Sequence, residues 1–450
     1  MSTEVADTLA TFAANLKYED IPEEVVDYTK FLALKTISGM VAGSIHPSGV
    51  RAASVIKRKN LPQEITLIHS GFKTSLWEAI FLNAFYAHVQ ELEDDRIGGG
   101  VSWDITVVAI ILALAERYKL SGRDTLLAMV VGLELHTRTC LFSAEHIGLT
   151  VVPGAVGPAA GAAKAIGLDA HQTAMAMGLA LSSANLSFVN FGTDTHFFES
   201  SIHSVQAVAA AEMASVGLTS NPDIARYLDG LLGKGKINPE DYTRDLGERW
   251  LLTEIMIKKY PCCFMIHRQV DSLFEIMRSN NLSQDDVKRI HVHATPGDKL
   301  CNRPDPKTEG EMQFSFQHTL GAALVRGVLS LDEFKASAAA DPELLAARAK
   351  VEVTMDPDGS QFVMVDPSRI TVTTWSGMEF SDERLHPVGS KQDPLTLEGM
   401  RKVYRQYVGD LYSPQDAERV AELVLGLDRL DDISSLMEIL AQSDTELVSG

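Results

Sequence analysis

The sequence predicts a mainly α protein, with a large all-helical domain over residues 1–265 and a smaller α+β domain over residues 266–395. Residues 396–450 return to helical patterns and are expected to complete the first domain. Two observations carry this prediction. Apolar residues recur at helical spacing from residue 21 to about 265, whereas beyond 286 the period switches to two. A chain of 450 residues is also too long for one simple core.

The elements follow in chain order. Pro22-Glu23-Glu24 makes a favourable first helical turn, with proline near the first position and acids facing the dipole. Val25, Tyr28, Leu32, Leu34 and Ile37 then form an apolar stripe. Residues 77–87 and 105–115 read as apolar helices. Residues 154–167 and 207–214 are rich in alanine and glycine, which lets helices pack closely in a compact bundle. Residues 287–294, 349–355 and 368–375 alternate as half-buried strands do. Asp356-Pro-Asp-Gly359 and Ser376-Gly377 are turns. Residues 316–327 and 331–340 read as helices between the strands, and 395–404 and 414–439 as helices that dock back. There is no internal repeat and no low-complexity linker.

Composition excludes some partners. A formal charge of −20 argues against nucleic acid or an anionic membrane surface. The apolar run at 105–115 stops at Glu116, short of a membrane span. Met1-Ser-Thr-Glu4 lacks a basic leader, so no secretory signal is expected. Cys140, Cys262, Cys263 and Cys301 lack zinc-ligand spacing, so reduced thiols and a cytoplasmic location are expected.

The densest chemistry lies in His88-Val-Gln-Glu91-Leu-Glu93-Asp94-Asp95-Arg96, which runs into Gly98-Gly-Gly100. Four carboxylates within five residues repel one another, so they are costly unless solvated or used. They form either a solvated loop tip or the floor of an active site. The glycines would let a substrate approach closely.

Other candidates each carry two readings. His196, between Asp194 and aromatic residues, is an acid/base group or a helix-start histidine satisfied by backbone. Glu199 and His203, four apart on one helix face, are a coupled pair or a surface pair. Lys258 and Lys259 before Tyr260-Pro261 clamp a carboxylate, or compensate a helix dipole. His267 and Arg268 reach the same cleft or serve structure. Cys262 and Cys263 are more readily inert buried thiols than nucleophiles. His291 and His293 share a strand face, which suits a metal pair less well than an ordinary strand. Acids plus lysine and histidine suit removal of a proton α to a carboxylate or carbonyl, followed by elimination or by reprotonation. The alternative is a scaffold without chemistry that binds a metabolite or a partner chain.

The order of motifs resembles the MmgE/PrpD superfamily, which holds 2-methylcitrate dehydratases, cis-aconitate decarboxylases and iminodisuccinate epimerases. The resemblance rests on the acids at 91–95, Gly154-Ala-Val-Gly157 and the segment from Asn190-Phe-Gly-Thr193 to Gly217-Leu-Thr219. It continues through Lys258-Lys-Tyr-Pro-Cys-Cys263 with His267, Phe314-Ser315 with Ala322-Ala-Leu324 and Gly327, and Asp393-Pro-Leu395. It implies a helical domain with an α+β lid, a homodimer, a small organic acid as substrate, and no metal or organic cofactor. Turnover should therefore survive chelation.

The acids and Lys258 match the family's catalytic group, and with His196, read from its own neighbours, they make Glu91, Asp94, Asp95, His196 and Lys258 the expected catalytic residues. The residues and the resemblance together place substrate binding at His88, His146, Glu199, His203, Lys259, His267, Arg268 and His318. Three positions depart from the family pattern. His196 stands where a lysine is usual, Glu199 where a histidine is usual, and His318 where some members have tyrosine. The stretch from Gly98 to Trp103 lacks the family's His-Pro pair. Each loss of positive charge near the acids points to a substrate with fewer carboxylates than methylcitrate or aconitate, one carboxylate or one bearing an amine.

Overall fold

The computed structural model describes residues 4–96, 103–140, 154–183, 190–232, 238–361 and 363–443. His146 and the glycines at 98–100 lie outside them. The architecture is mainly α with a smaller α+β portion, as the periodicities predict.

The Glu23–Ser44 helix runs through the centre of the helical portion. Every residue from 32 to 44 is buried, because apart from Lys35 its side chains are apolar, small or hydroxyl-bearing all round. The hydroxyls bond back to their own helix, Thr29 to Val25 O at 2.8 Å and Ser44 to Val41 O at 2.7 Å. Only glycine fits at position 43, since a Cβ there would lie 1.9 Å from Tyr86 O. The contact lies in the last turn of the Leu76–His88 helix, just before the acidic segment begins. The alanine- and glycine-rich Val156–Ala165 helix uses the same device. A Cβ at Gly157 would meet His136 N at 2.1 Å in the Gly122–Thr139 helix.

Helix ends follow local chemistry. Ser121, Ser315 and Ser413 accept N-cap bonds from Asp124, His318 and Asp416 backbone N–H groups, each at 3.0–3.1 Å. Gly327, at φ 66°, closes the Phe316–Arg326 helix in the left-handed region.

Two small antiparallel pairs sit within the helical portion: β1 (Ile65–Thr66) with β2 (Lys73–Thr74), and β3 (Asp95–Arg96) with β4 (Ile255–Met256). Two-residue strands carry no period, so the sequence does not reveal them. The larger sheet is ordered β6 (Val351–Met355), β5 (Val287–Ala294), β7 (Ser368–Thr374), β8 (Glu379–Arg384). The β5–β6 pair is parallel, with Val292 opposite Val353, and the Phe316–Arg326 helix lies in its crossover. The Phe264–Ser279 helix packs on β7 and β8.

Some expectations need correction. Residues 331–340 form two 3₁₀ turns, Asp332–Phe334 and Ala336–Ala340, rather than one helix, because Lys335 between them is extended. The edge strand β8 was not expected. Its residues alternate between exposed and half-buried, so no apolar face marks it.

The Leu397–Val408 and Pro414–Leu425 helices return to pack on the Glu23–Ser44 helix. Among the described residues no helix is long and apolar enough to cross a membrane.

Candidate active site

The acidic segment starts where the Leu76–His88 helix stops. Glu91 N–H bonds to His88 O at 2.8 Å, and Glu91 itself sits at φ 53°. A non-glycine residue in the left-handed region is strained and persists only where its surroundings over-determine it. The chain then extends into β3, where Asp95 pairs with Met256 of β4. This short ladder holds the acids against the segment that carries Lys258. Lys258 N–H donates to Asp94 Oδ1 at 2.8 Å, so backbone as well as side chain ties the two segments together.

The Lys258 ammonium binds three carboxylates. It lies 3.3 Å from Glu91 Oε2 and 3.5 Å from Asp95 Oδ2, and it donates to Glu93 Oε1. All of these groups are buried, Lys258 and Asp94 completely. The solvated-tip reading of the acids is therefore overturned.

A second buried cation is Lys35, 3.7 Å from Asp94 Oδ1 and hydrogen-bonded to Leu92 O. The fifth buried acid is Asp104, whose Oδ1 accepts from Asp94 N–H at 2.9 Å. Five carboxylates thus face two ammonium groups. Burial pushes Glu91, Asp94 and Asp95 well above the usual carboxylate range, and Glu93 adds to the effect on Glu91 and Asp95. Burial works against the charged Lys258, but Glu93, Glu91 and Asp95 outweigh it and keep the ammonium protonated.

Asp104 illustrates where the protons go. Thr36 Oγ1 lies 2.8 Å from Leu32 O and 2.5 Å from Asp104 Oδ2, yet carries one hydrogen. A proton on Asp104 Oδ2, donated to Thr36, satisfies both contacts. Burial pushes this carboxyl up to about 6. A folded pKa raised above 3.8 means that stability is fully present below that value and lost as pH rises through about 6. The shift corresponds to about 3 kcal/mol. Asp104→Asn keeps the acceptor for Asp94 N–H and places a donor opposite Thr36. Thermal melts at acidic and alkaline pH should show the variant losing less stability than the parent as pH rises. Parallel pH slopes would sink this assignment.

Two imidazoles complete the cluster. The His88 and His196 rings stand 4.5 Å apart, His196 Nε2 is 3.6 Å from Glu91 Oε1, and His88 Nε2 is 3.7 Å from Glu93 Oε1. Burial lowers both below the usual range, helped by Lys258 at His88 and by His88 at His196. Two clefts open between the helical and α+β portions beside the chain neighbours of this cluster, and neither is lined by its buried acids, His88, His196 or Lys258. One, of about 810 Å³, is lined by Gln90, Gln313 and Tyr407; another, of about 540 Å³, by Val89, Gly192 and Phe197.

Residues 7–234 match the model of the MmgE/PrpD N-terminal domain, and residues 260–429 that of the MmgE/PrpD C-terminal domain. The chain belongs to the MmgE/PrpD family. It is similar to the cis-aconitate decarboxylase of Homo sapiens, 25% identical over 98% of this chain and 95% of that one. It is also 26% identical to the enzyme of that name from Aspergillus terreus, over 97% and 96%, and 27% identical to that of Mus musculus, over 80% and 78%.

In this MmgE/PrpD chain the residues expected at the site divide into two groups. Glu91, Asp94, Asp95, His88, His196 and Lys258 converge. The others have partners of their own outside it. Lys259 pairs with Asp271 at 2.6 Å, and Arg268 with Asp298 at 3.1 Å inside the α+β portion. His318 is held between Glu333 O at 2.6 Å and Arg348 Nε at 2.9 Å. His267 contacts Cys262 O at 3.2 Å, His203 contacts Ser183 O at 3.2 Å, and Glu199 accepts from Asn190 at 2.6 Å. His146 lies outside the described residues. Burial raises the thiols of Cys262 and Cys263, which speaks against a nucleophile.

Lys35, Thr36, Asp104 and Ser200 were missed. Lys35 had a signal, a charge inside an otherwise apolar helical run. Ser200 had none; it matters because its hydroxyl meets His88 Nδ1 at 2.7 Å.

Proposed function

We propose that this chain is an acid–base enzyme that removes a proton α to a carboxylate or carbonyl of a small organic acid. The outcome is elimination, as in a lyase, or reprotonation, as in an epimerase. The relatives named cis-aconitate decarboxylase favour the lyase branch. The observation that carries the reading is the Lys258 ammonium amid three buried carboxylates, with Asp94 Oδ2 and Glu91 Oε1 left without hydrogen-bond partners among the described residues. A carboxylate anchored at one oxygen and unpartnered at the other is placed to accept a proton, and Asp94 has this arrangement.

The test is a panel of small organic acids followed by NMR for loss of water or carbon dioxide, or for inversion. Asp94→Asn keeps Oδ1 for the Lys258 N–H and removes the proton acceptor. It should lower kcat by about 10²–10⁴ with the fold intact, and Asp95→Asn serves as the comparison. Amide variants with parental turnover would remove the acids from the mechanism. A chain that binds acids and turns over none would be the inactive scaffold.

The excess of buried acids bears on substrate choice. A like charge 4 Å away costs about 4 kcal/mol at intermediate dielectric. Mono-acids and amino acids should therefore give higher kcat/KM than methylcitrate or cis-aconitate, and efficient turnover of either tricarboxylate would overturn this. A homodimer belongs to the same reading. It is supported by half-exposed Val55, Trp77 and Phe198 around an apolar hollow of about 690 Å³.

A further inference from the structure

The two buried ammonium groups serve different acids. Lys258 Nζ is shared by Glu91, Glu93 and Asp95, and Lys258 meets Asp94 through its backbone N–H. The ammonium in contact with Asp94 is that of Lys35, 3.7 Å from Oδ1, and both side chains are wholly buried. Among the described residues this is the one ion pair that Lys35 makes.

Lys35 stands in the buried stretch of the Glu23–Ser44 helix, where a charge without a counter-charge is expensive. It donates to Leu92 O, which ties that helix to the acidic segment. A neutral donor of the same reach would serve that carbonyl as well. What a neutral donor would not supply is the positive charge beside Asp94.

Asp94 Oδ1 accepts from Lys258 N–H at 2.8 Å and faces Lys35, whereas Oδ2 is buried with no hydrogen-bond partner among the described residues. Titratable and charged groups surround it from several elements. They are Lys35 and Tyr28 of the Glu23–Ser44 helix, Asp104 of the Trp103–Tyr118 helix, Lys258 beyond β4, and the chain neighbours Glu93 and Asp95. Burial pushes the Asp94 carboxyl well above its usual range. Lys35 comes next and pulls it down, Asp104 pushes it up, and Lys258 pulls it down more weakly. Tyr28 stays neutral, since burial and Asp94 both push its phenol up.

We propose that Lys35 is the residue that keeps Asp94 ionised and so able to accept a proton, a positioning residue that acts through Asp94. Its meaning for turnover rests on the acid–base reading above, whereas its effect on the charge of Asp94 does not. With a neutral side chain at position 35, Asp94 should hold its proton to higher pH. Each pH unit by which its midpoint rises removes about tenfold of the ionised form below that midpoint.

The test compares the full chain with Lys35→Met by two measurements. Carbon-13 NMR of chains labelled at the aspartate carboxyl, with Asp94→Asn identifying the signal, follows Asp94 through a pH titration. The midpoint should rise by about one pH unit or more in Lys35→Met. With the acid that the panel shows to turn over, the acidic limb of kcat/KM should move up likewise. The variant should then lose about tenfold or more near pH 6 and much less near pH 9, whereas a merely structural lysine would lower the rate alike at every pH. If Lys35→Met does not fold, Lys35→Met with Asp104→Asn removes one of the acids left without a cation, and it is read against Asp104→Asn alone by the same measurements. A raised midpoint in a chain that turns over none of the panel would sink the acid–base reading and leave the role of Lys35 standing. An unmoved midpoint, or a rate loss equal at all pH, would overturn the role of Lys35 and leave that reading standing.

Discussion

Removing residues 396–450 is expected to leave no cooperatively folded protein. The Leu397–Val408 helix buries Met400, Val403, Tyr404, Tyr407 and Val408, and the Pro414–Leu425 helix buries Val420, Leu423 and Val424. Each large apolar side chain contributes about 1.5–3 kcal/mol of burial. Their sum, about 12–24 kcal/mol, matches or exceeds the 5–15 kcal/mol of net stability that is typical of a domain. The loss would not stop at side chains. Tyr407 OH donates to Lys259 O at 2.5 Å, beside the Lys258 cluster, and His69 N–H donates to Leu440 O at 2.7 Å. The truncation would also bare the Glu23–Ser44 helix, whose residues 32–44 are buried on every side. Circular dichroism with thermal melting is the measurement. A soluble truncation with a sharp melt would show that these helices are an appendage.

Lys258→Met is expected to be the most damaging single substitution at the site. Methionine keeps the length and removes the charge that three buried carboxylates share. Deleting one partner of a buried ion pair typically costs about 3–5 kcal/mol, because the remaining charge stays buried. The deficit should grow with pH. Folded-state pKa values of Glu91 and Asp95 are already raised, and loss of Lys258 raises them further. Groups shifted upward stabilise the fold below their unfolded pKa and lose that contribution as pH rises through the folded value. Melts near pH 5 should therefore show a smaller gap from the parent than melts near pH 8. Adding Glu93→Gln to Lys258→Met should recover part of the loss, since it removes one orphaned charge. A variant as stable as the parent at pH 8 would mean that the carboxylates carry enough protons to need no cation.

Much of the fold was legible in the sequence. The switch to period two placed β5, β6 and β7 because each buries one face and alternates along its length. The site was legible in part. Crowded acids at 91–95 and the lysine before Tyr260-Pro261 are unusual enough to stand out by composition alone. Arg268 and Lys259 misled because a cation beside a motif says nothing about which acid, Asp298 or Asp271, will reach it first.

By itself the sequence determined the mainly α class, the strands that bury one face, the family and the two segments that carry the acids and Lys258. Local spacing is enough for these, since each is written within a few turns or strands. Tertiary structure alone decided that the acids are buried, that Lys35 and Asp104 join them, and that His196 meets His88 and Glu91. Those contacts join residues tens to well over a hundred positions apart, and no period records such separations. They depend on how closely backbones cross. The Cβ-free approach of Gly43 to Tyr86 O brings two helices together just before Glu91, and the β3–β4 pairing aligns Asp95 with the strand before Lys258.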